Sequence, residues 1–598
     1  MRIAVDSGGT FTDFVVWDGS RLRGLKIRST PRNPVRAVLE GLGRLPAGEV
    51  VHGSTVATNT LLQRNGARTA FVTTKGFEDL LDLARQNRTS LYDWCPVPRQ
   101  GLILPGDKHG IPERTLYDGT VLRELADGQA EELARRLGDV ESVAVCLLHS
   151  YANPAHESKV GRALRAAGFS VSLSSEILPE HREYERAATT VVNAYVSPLM
   201  RRYVATLQAG LTGRPLRIFQ SNGGSISAEE ASEQAVRTVL SGPAGGLVGS
   251  AAIAKQLGIE RFISFDMGGT STDVSLYDGS LRHTTEGSAA GLPVRIPMLD
   301  IESIGAGGGS VAYFDEASAL RVGPRSAGAE PGPVCYGTGE ELTVTDANLL
   351  LGRIDTASFL QGTIRLDADR TREVAARAAR KAGITSEELA RAIVRAANAK
   401  MERAIRGVSV ERGHSPRDYA MICFGGAGAL HACQLAENLE IPRVVVPAHA
   451  GVLSALGMLV ADCVRDYSAS VLDGDSQEAF DRLERRARRD MLEQGFADIE
   501  LIRTVDMRYE GQSYEINVPE ERVPKFDEVH ERRYGYRHRD RRTQAVTARV
   551  QAVGRTSGAD HPDLEAASGE PRFASVHVPN GWRARESAGS SMILERVG

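Results

Sequence analysis

Two short apolar runs, far apart in the chain, are each interrupted by the same polar turn. Residues 3–5 are followed by Asp, paired Gly and hydroxyl residues, and then by the apolar run 14–17. The same order recurs between residues 262–265 and 274–277. Two β-type runs joined by a polar, Gly-rich segment predict a β-hairpin. The sequence therefore predicts two similar hairpins, VDSGGTFTDF and FDMGGTSTDV.

A long helical pattern precedes a third Gly-rich segment. The capping-box sequence TSEE at 385–388 starts it, and Leu389, Ile393 and Ile405 recur at helical spacing. The segment AMICFGGAGALHA at 420–432 then predicts a strand whose GGAG turn opens a helix. Bare backbone at such a point can contact a flat ring or bind an anion, and close strand–helix packing without a ligand is the alternative.

The repeated pattern divides the chain into three regions. We expect a first lobe over 1–200, which holds the first hairpin, and a second lobe over 201–470, which holds the second hairpin and the GGAG turn. A helical stretch at 183–210 links them. A smaller α+β region follows over 471–598, with a charged helix at 477–493 and the strand-like segment DMRYEGQSYEI. After about residue 550 the pattern fits either partial disorder or a final strand pair.

Composition excludes several classes of protein. The 598 residues carry 72 Lys and Arg against 76 Asp and Glu, and the net charge of −4 does not predict a nucleic-acid or membrane-surface partner. The uncharged stretch 444–461 is interrupted by Pro, His and Gly, and we expect a buried strand, turn and helix there. Six scattered Cys and no signal-peptide pattern at the start predict a cytoplasmic protein with free thiols.

The two hairpins carry the chemistry of phosphate binding. Glycine turns let backbone N–H groups approach an anion, and the neighbouring Thr hydroxyls add donors. Asp6 and Asp266 stand where a carboxylate can hold Mg²⁺ through its waters. One such loop alone is weak evidence, but two copies predict two related halves whose hairpins face each other across a nucleotide cleft.

The hairpins and the GGAG turn together resemble the ATPase domain shared by actin, sugar kinases and heat-shock chaperones. The surrounding sequence resembles more closely the ATP-dependent hydantoinase/oxoprolinase family, specifically its nucleotide-binding (A-type) subunit. The stretches that carry this resemblance are HGSTVATNTLL (52–62), EYERAATTVVNAYVSP (183–198), SIGAGGGSVA (303–312), GPRSAGAEPGPVCYG (323–337), TDANLLLGR (345–353), DMRYEGQSYEI (506–516) and YGY (534–536).

The resemblance implies an α/β fold with two duplicated actin-like, ribonuclease H-like lobes around the cleft. It implies binding of ATP and Mg²⁺ and phosphorylation of a substrate carbonyl oxygen, often with a separate B-type subunit that completes the reaction. A hydrolase for a cyclic amide such as a hydantoin or 5-oxoproline is the first expectation. A ketone carboxylase subunit and a non-enzymatic ATP switch are the alternatives.

The motif match also implies roles for individual residues. Asp6 and Asp266 are expected on the metal side. The phosphate ligands implied are Gly8, Gly9, Thr10, Thr12, Gly268, Gly269, Thr270 and Thr272, and the adenosine-side residues are Gly425, Gly426, Ala427 and Gly428.

Three further sets of residues have two open interpretations each. Asp13 and Asp273 act as base or orient water, or else they hold the hairpins by accepting backbone N–H bonds. The Gly-rich run at 305–309 is a third phosphate loop or a site of close backbone packing. The last set either contacts substrate or forms a buried hydrogen-bond network, and consists of His52, Thr55, Thr58 and Asn59.

Overall fold

The structure, a computed structural model, describes most of the chain. The described residues are 1–9, 11–30, 33–87, 90, 92–95, 100–328, 330–356, 359, 365–472, 474–556, 564, 574–587 and 590–597.

The first lobe begins with the predicted hairpin. Its first two strands pair antiparallel, and the third strand continues the antiparallel ladder. The elements are β1 (Arg2–Ser7), β2 (Phe11–Trp17), β3 (Leu22–Arg28), α1 (Pro34–Gly43), β4 (Glu49–Ser54) and α2 (Val56–Gln63).

A small subdomain with its own four-stranded sheet, in the order β10-β9-β5-β6, is inserted next. Its elements are β5 (Thr69–Thr74), α3 (Leu80–Leu83), β6 (Lys108–Ile111), β7 (Arg114–Thr115), β8 (Val121–Arg123), α4 (Gln129–Arg136), β9 (Ser142–Cys146), α5 (Ala155–Ala166), β10 (Ser170–Leu173) and α6 (Ser174–Ile177).

The chain then returns to the first lobe and crosses to the second. A 28-residue helix confirms the helical stretch expected at 183–210. The elements are α7 (Glu183–Gly210), β11 (Leu216–Phe219), β12 (Ser225–Ser227), α8 (Ala228–Glu233) and α9 (Ser241–Gln256). The expected lobe boundary at 200 falls inside α7, and β11 still belongs to the first sheet.

The second lobe repeats the hairpin and adds several short strand pairs. Its elements are β13 (Arg261–Met267), β14 (Thr272–Asp278), β15 (His283–Thr284), β16 (Gly287–Ala289), β17 (Leu292–Val294), β18 (Met298–Leu299), β19 (Glu302–Ile304), β20 (Ser310–Phe314), β21 (Leu320–Ser326), α10 (Val344–Leu350), α11 (Ala368–Ala382), α12 (Ser386–Val408), β22 (Ala420–Phe424), α13 (Ala432–Leu439), β23 (Arg443–Val446) and α14 (Leu453–Val460). Thr385 caps α12 with the predicted capping box, and β23 and α14 are the buried strand and helix expected within 444–461.

The last region extends both sheets. Its elements are β24 (Cys463–Ser470), α15 (Ser476–Glu493), β25 (Glu500–Tyr509), β26 (Ile516–Pro519), α16 (Phe526–Tyr534), β27 (Thr543–Gly554), β28 (Trp582–Glu586) and β29 (Met592–Arg596). The segment DMRYEGQSYEI does not form one strand: it ends β25, turns and begins β26. The final strand pair, one of the two alternatives for the end of the chain, joins the second sheet beside β23.

The two lobes share one strand order, which is the structural form of the repeat. The first sheet contains the order β3-β2-β1-β4-β11, and the second contains β19-β14-β13-β22-β23. In each, the first three strands are antiparallel and the last three are parallel. The duplicated α/β lobes implied by the resemblance are therefore present.

Two helices cross between the sheets and join the lobes. Helix α14 packs on β1, β2 and β4 of the first lobe, and α9 packs on β13 of the second. Where they cross, a Cβ on Gly457 would lie 1.8 Å from the carbonyl oxygen of Gly245, and a Cβ on Gly249 would lie 2.7 Å from that of Leu453. Only glycine allows the two backbones to approach this closely.

A cluster of buried ion pairs fastens the C-terminal region to both lobes. Arg549 on β27 contacts Glu180 at 2.7 Å and Asp506 at 2.6 Å, and Arg295 contacts Glu180 at 3.2 Å. Burial opposes ionisation, but Arg549 and Arg295 lower the pKa of Glu180 to about 2. The charges are mutually paired, which is the condition for tolerating them in an interior.

Two expectations from composition concern the whole chain. In the described part of the chain, no helix is long and apolar enough to cross a membrane. All six cysteines are free thiols, and five of them are buried.

We expect Gly457→Ala to lower the thermal unfolding midpoint by several degrees, because the new methyl group must displace the backbone of α9 at Gly245. Overpacking of this kind costs about 1–3 kcal/mol. Gly242→Ala, on α9 but with open space around its Cβ, is the matched control and should leave the midpoint unchanged or slightly higher. Equal midpoints for the two variants would contradict the crossing.

Candidate functional site

The two hairpins build equivalent turns. Asp6 faces Asp13 across the first hairpin, and Asp266 faces Asp273 across the second. The N–H of Gly8 donates to Phe11 at 3.0 Å, and the N–H of Gly268 donates to Ser271 at 3.1 Å. Both turns therefore have the same tight closure.

The tips of the turns are open to solvent. Gly9, Gly269 and Thr270 are exposed, so their backbone N–H groups lie where an anion can reach them. Thr10, expected as a phosphate ligand, lies outside the described residues.

Carboxylates of the two lobes are close enough to act on each other. Burial raises the pKa of Asp266 well above its usual range, and the negative charges of Asp273, Asp6 and Asp13 raise it further. Two of those three neighbours belong to the first hairpin. The hairpins thus lie on one shared cleft, as expected from the repeat.

The pKa values of the other three carboxylates are also raised. Burial and the adjacent Asp13 raise the pKa of Asp6 to about 7. Burial raises the pKa of Asp273 to about 6. Burial raises the pKa of Asp13 as well, although Lys26 opposes that shift. Four carboxylates in one cleft repel one another, and a cation placed among them would relieve that repulsion.

The hairpins differ in what stands opposite their second Asp. Lys26 on β3 is the cross-strand neighbour of Asp13 and contacts it at 2.6 Å. The equivalent neighbour of Asp273 is Ser303. The Oδ1 atom of Asp273 is buried and has no hydrogen-bond partner among the described residues. Asp13 is therefore paired, whereas Asp273 keeps one oxygen for another ligand.

This donor set fits Mg²⁺ held through water. The cleft offers carboxylate oxygens, which Mg²⁺ prefers, and Mg²⁺ typically keeps several waters while using one or two carboxylates. Within the described residues, no three His, Cys, Asp or Glu side chains are grouped closely enough to ligate a metal directly. Asp6 and Asp266 would therefore hold the ion from the floor of the cleft, with no dedicated protein cage.

Thr12 and Thr272 do not face the cleft, which differs from their expected role as phosphate ligands. Both are buried. Ser29 donates to the carbonyl oxygen of Gly8 at 2.7 Å, so Thr12, 3.0 Å from the Ser29 hydroxyl, donates to Ser29. Thr272 donates to the carbonyl oxygen of Ala306. These hydroxyls anchor the turns from behind because strand pairing directs them away from the tips.

The GGAG turn lies directly beside the second hairpin. Gly425 has a φ of +79°, and a Cβ there would lie 2.4 Å from Oδ1 of Asp266. The N–H of Ala427 donates to the carbonyl oxygen of Met267 at 3.1 Å. Gly426 is exposed at the tip, whereas Gly428 is buried against Cys423. Of the four expected residues, Gly425 to Ala427 thus border the cleft and Gly428 serves packing.

The Gly-rich run at 305–309 supports the second hairpin. The N–H of Gly308 donates to the carbonyl oxygen of Gly268 at 3.0 Å, and that of Gly309 donates to Gly269 at 2.7 Å. The N–H of Gly307 is bonded to the Ser310 hydroxyl at 2.8 Å. Because these amides are used within the protein, the structure favours close backbone packing over a third phosphate loop.

The candidate residues of the stretch 52–62 were expected either to contact substrate or to form a buried hydrogen-bond network, and they differ in this respect. The Nδ1–H of His52 donates to Val5 at 3.0 Å and its Nε2 accepts from Tyr203 at 2.7 Å, and burial lowers its pKa to about 4. His52 is therefore part of a buried network and has no ring nitrogen left for a substrate. Thr58 accepts from the N–H of Leu240 at 2.9 Å.

The remaining two lie nearer the first turn. Thr55 donates to the carbonyl oxygen of Ser7 at 3.1 Å, and the side-chain amide of Asn59 donates to Thr55 at 3.3 Å. Asn59 is exposed. Of the expected substrate residues, Asn59 alone combines exposure with a link to the phosphate hairpin.

Lys26 and Ser29 are functional-site residues that the sequence reasoning missed. Lys26 lies on β3 opposite Asp13, and Ser29 directly follows the end of β3. Cross-strand pairing with Asp13 was the available signal for Lys26. This pairing could not be assigned from the sequence because the register between β2 and β3 was unknown, and a shift by one residue would point Lys26 to the opposite face.

Comparison with known proteins places the chain among enzymes. A family model described as "Hydantoinase/oxoprolinase" matches residues 186–467, and its "Hydantoinase/oxoprolinase N-terminal region" matches residues 2–168. The caprolactamase subunit alpha of Pseudomonas jessenii is 33% identical over 97% of this chain and 90% of the relative. The 5-oxoprolinase 1 of Arabidopsis thaliana is 35% identical over 97% of this chain, which spans 52% of that relative's length.

A solved structure resembles the whole chain. The crystal structure of the ATP-dependent caprolactamase from Pseudomonas jessenii has a TM-score of 0.87 and 30% identity, with 100% of both chains covered. The two-lobed α/β fold implied by the resemblance is confirmed by this match.

Asp6→Asn is expected to raise the thermal unfolding midpoint of the protein free of nucleotide and metal at pH 8, and to raise it by less at pH 5. The pKa of Asp6 is raised from 3.8 to about 7, so its ionisation lowers stability as the pH rises through that range. The measurement is differential scanning fluorimetry at both pH values.

Asp18→Asn is the control for this titration. The N–H groups of Ser20 and Arg21 lower the pKa of Asp18, so removal of its charge should not raise the midpoint at pH 8. A gain for Asp6→Asn that is as large at pH 5 as at pH 8 would show that repulsion at Asp6 is not its source.

Proposed function

The chain belongs to the hydantoinase/oxoprolinase family, and we propose that it is the nucleotide-binding subunit of an ATP-dependent cyclic amide hydrolase. The substrate class we propose is a lactam or imide ring such as 5-oxoproline, a hydantoin or caprolactam. The relatives named for 5-oxoproline and caprolactam support this choice.

The observation that carries the proposal is the meeting of Asp6, Asp13, Asp266 and Asp273 between two tight glycine turns. Repelling carboxylates and outward-facing backbone amides are complementary to a cation bound to a polyphosphate. The unpartnered oxygen of Asp273 is a second sign that the cleft accommodates a ligand.

The chemistry needs activation because an amide carbonyl is a poor electrophile. Bound MgATP would supply a phosphoryl group to the carbonyl oxygen, which would make the ring carbon more electrophilic, so that water can add there and the ring nitrogen can leave. Transfer of this kind depends mostly on positioning and on neutralising charge. The chain contributes both through its turn amides and its floor carboxylates.

Individual residues have distinct roles in this proposal. The exposed N–H groups of Gly9, Gly269 and Thr270 would hold the phosphates from both sides, while the N–H groups of Gly8 and Gly268 close the turns behind them. Asp6 and Asp266 would orient the waters of the metal, and Gly425, Gly426 and Ala427 would lie against the adenosine.

The two remaining carboxylates are not equivalent. Asp273, with one oxygen that has no partner in the described part of the chain and a pKa of about 6, is the better candidate to accept a proton or orient water near neutral pH. Asp13 is engaged by Lys26 and has mainly an electrostatic and positioning role.

We also propose a second subunit for the complete reaction. The caprolactamase relative is named as an alpha subunit. The chain spans about half the length of the 5-oxoprolinase relative.

A cyclic amide is expected to stimulate ATP turnover by the purified protein at least tenfold, because transfer requires an acceptor oxygen aligned in the cleft. The assay is phosphate release with Mg²⁺ and ATP, alone or with 5-oxoproline, caprolactam or hydantoin. Asp266→Asn should reduce the stimulated rate at least 100-fold, whereas Asp18→Asn, in the exposed turn after β2, should not.

The same assay separates the alternatives. Stimulation only by a ketone with bicarbonate would replace the proposal with a carboxylase. ATP binding without stimulation by either class would indicate a nucleotide switch, and no ATP binding by calorimetry would refute the nucleotide cleft itself.

A further inference from the structure

Lys26 lies between elements of both lobes. Its Nζ donates to Oδ1 of Asp13 at 2.6 Å and to the carbonyl oxygen of Gly451 at 3.1 Å. Asp13 belongs to the first phosphate hairpin, whereas Gly451 lies in the turn that follows β23 of the second sheet. One ammonium group therefore bridges the two halves beside the cleft.

The turn that contains Gly451 continues into the second half of the site. The carbonyl oxygen of Ala450 accepts the N–H of Gly425 at 3.0 Å. Gly425 in turn lies against the Asp266 carboxylate, where it leaves no room for a side chain. A continuous series of contacts thus runs from Asp13 through Lys26 and the 450–451 turn to the adenosine-side loop and the second hairpin.

We propose that Lys26 is a positioning residue that fixes the first phosphate hairpin relative to the adenosine-side loop, so that both can contact the same nucleotide. The proposal rests on the nucleotide-binding function proposed above. It assigns to Lys26 a role beyond that of a counter-charge, since a lysine that only neutralised Asp13 would not need a carbonyl oxygen from the other lobe.

The asymmetry between the lobes supports this role. The second hairpin is held by backbone bonds from Gly308 and Gly309. Behind them, Thr345 donates its N–H and its hydroxyl to Gly308 at 2.7 and 2.8 Å. The first hairpin has the Ser29 hydroxyl on Gly8 and Lys26 on Asp13. Of these two side chains, Lys26 also bonds a carbonyl oxygen of the other lobe.

The test is the affinity for ADP with Mg²⁺, measured by calorimetry, in Lys26→Met, Asp13→Asn and the double variant. Lys26→Met keeps the length of the side chain but removes the donor. The double variant leaves no uncompensated Asp13 charge, so it also guards against a folding defect. The matched control is Lys159→Met, because Lys159 likewise bonds one carboxylate, Asp127 at 2.7 Å, and one carbonyl oxygen, Leu125 at 3.2 Å, but in the inserted subdomain.

We expect Lys26→Met to bind ADP about tenfold more weakly than the unaltered protein, and the double variant to bind it about tenfold more weakly than Asp13→Asn. Lys159→Met should match the unaltered protein. Without nucleotide, hydrogen exchange at Gly425 and over residues 448–453 should be faster in Lys26→Met, since the turn has lost its contact with β3.

Two results would overturn the bridging role. One is that Lys26→Met binds ADP within twofold of the unaltered protein and the double variant binds it within twofold of Asp13→Asn. The other is that the double variant recovers the ADP affinity of the unaltered protein, which would show that Lys26 acts only as the counter-charge of Asp13. Failure of the unaltered protein to bind ADP and ATP would instead refute the proposed nucleotide cleft, so the two proposals fail separately.

Discussion

The crowding of four half-buried aspartates at the two hairpins is the constraint on which this structure depends. Two come from each lobe, and the pKa of each is raised by burial. The positive charge of Lys26 lowers the pKa of Asp6, Asp13 and Asp266 and so opposes the effect of burial. A cation bound among these carboxylates would relieve their repulsion and so stabilise the folded protein. The charge pattern thus links stability to function.

The fold keeps these like charges together by packing elsewhere. Helices α9 and α14 cross through glycine contacts that only a bare backbone permits, and they pack on strands of both sheets. The C-terminal region extends the first sheet, and its final strand pair extends the second. Buried ion pairs around Glu180 and Arg549 fasten that region where the lobes meet. The packing and ion-pair interactions that offset the repulsion among the aspartates are therefore distributed over several interfaces.

The segments with the strongest family resemblance are mostly supports and not ligands. Asp346 accepts from the N–H groups of Val334 and Cys335 at 3.2 and 2.8 Å, which fixes these two residues beside α10. Thr345 holds the glycines behind the second hairpin. In DMRYEGQSYEI, Asp506 forms an ion pair with Arg549, and Glu515 forms one with Arg295. A site built from exposed backbone amides requires such supports, since the backbone position is what the nucleotide would recognise.

The sequence by itself determined the two hairpins, the helix capped by Thr385, the long helix at 183–210 and the duplication of the lobes. These depend on local patterns of apolar, glycine and capping residues, which act over a few positions of the chain. Only the tertiary structure decided that Thr12, Thr272 and His52 face inward, that the glycines at 305–309 support a turn, and that Lys26 reaches Gly451. Such contacts join segments up to 425 positions apart, and strand register and helix packing, which no local pattern encodes, bring them together.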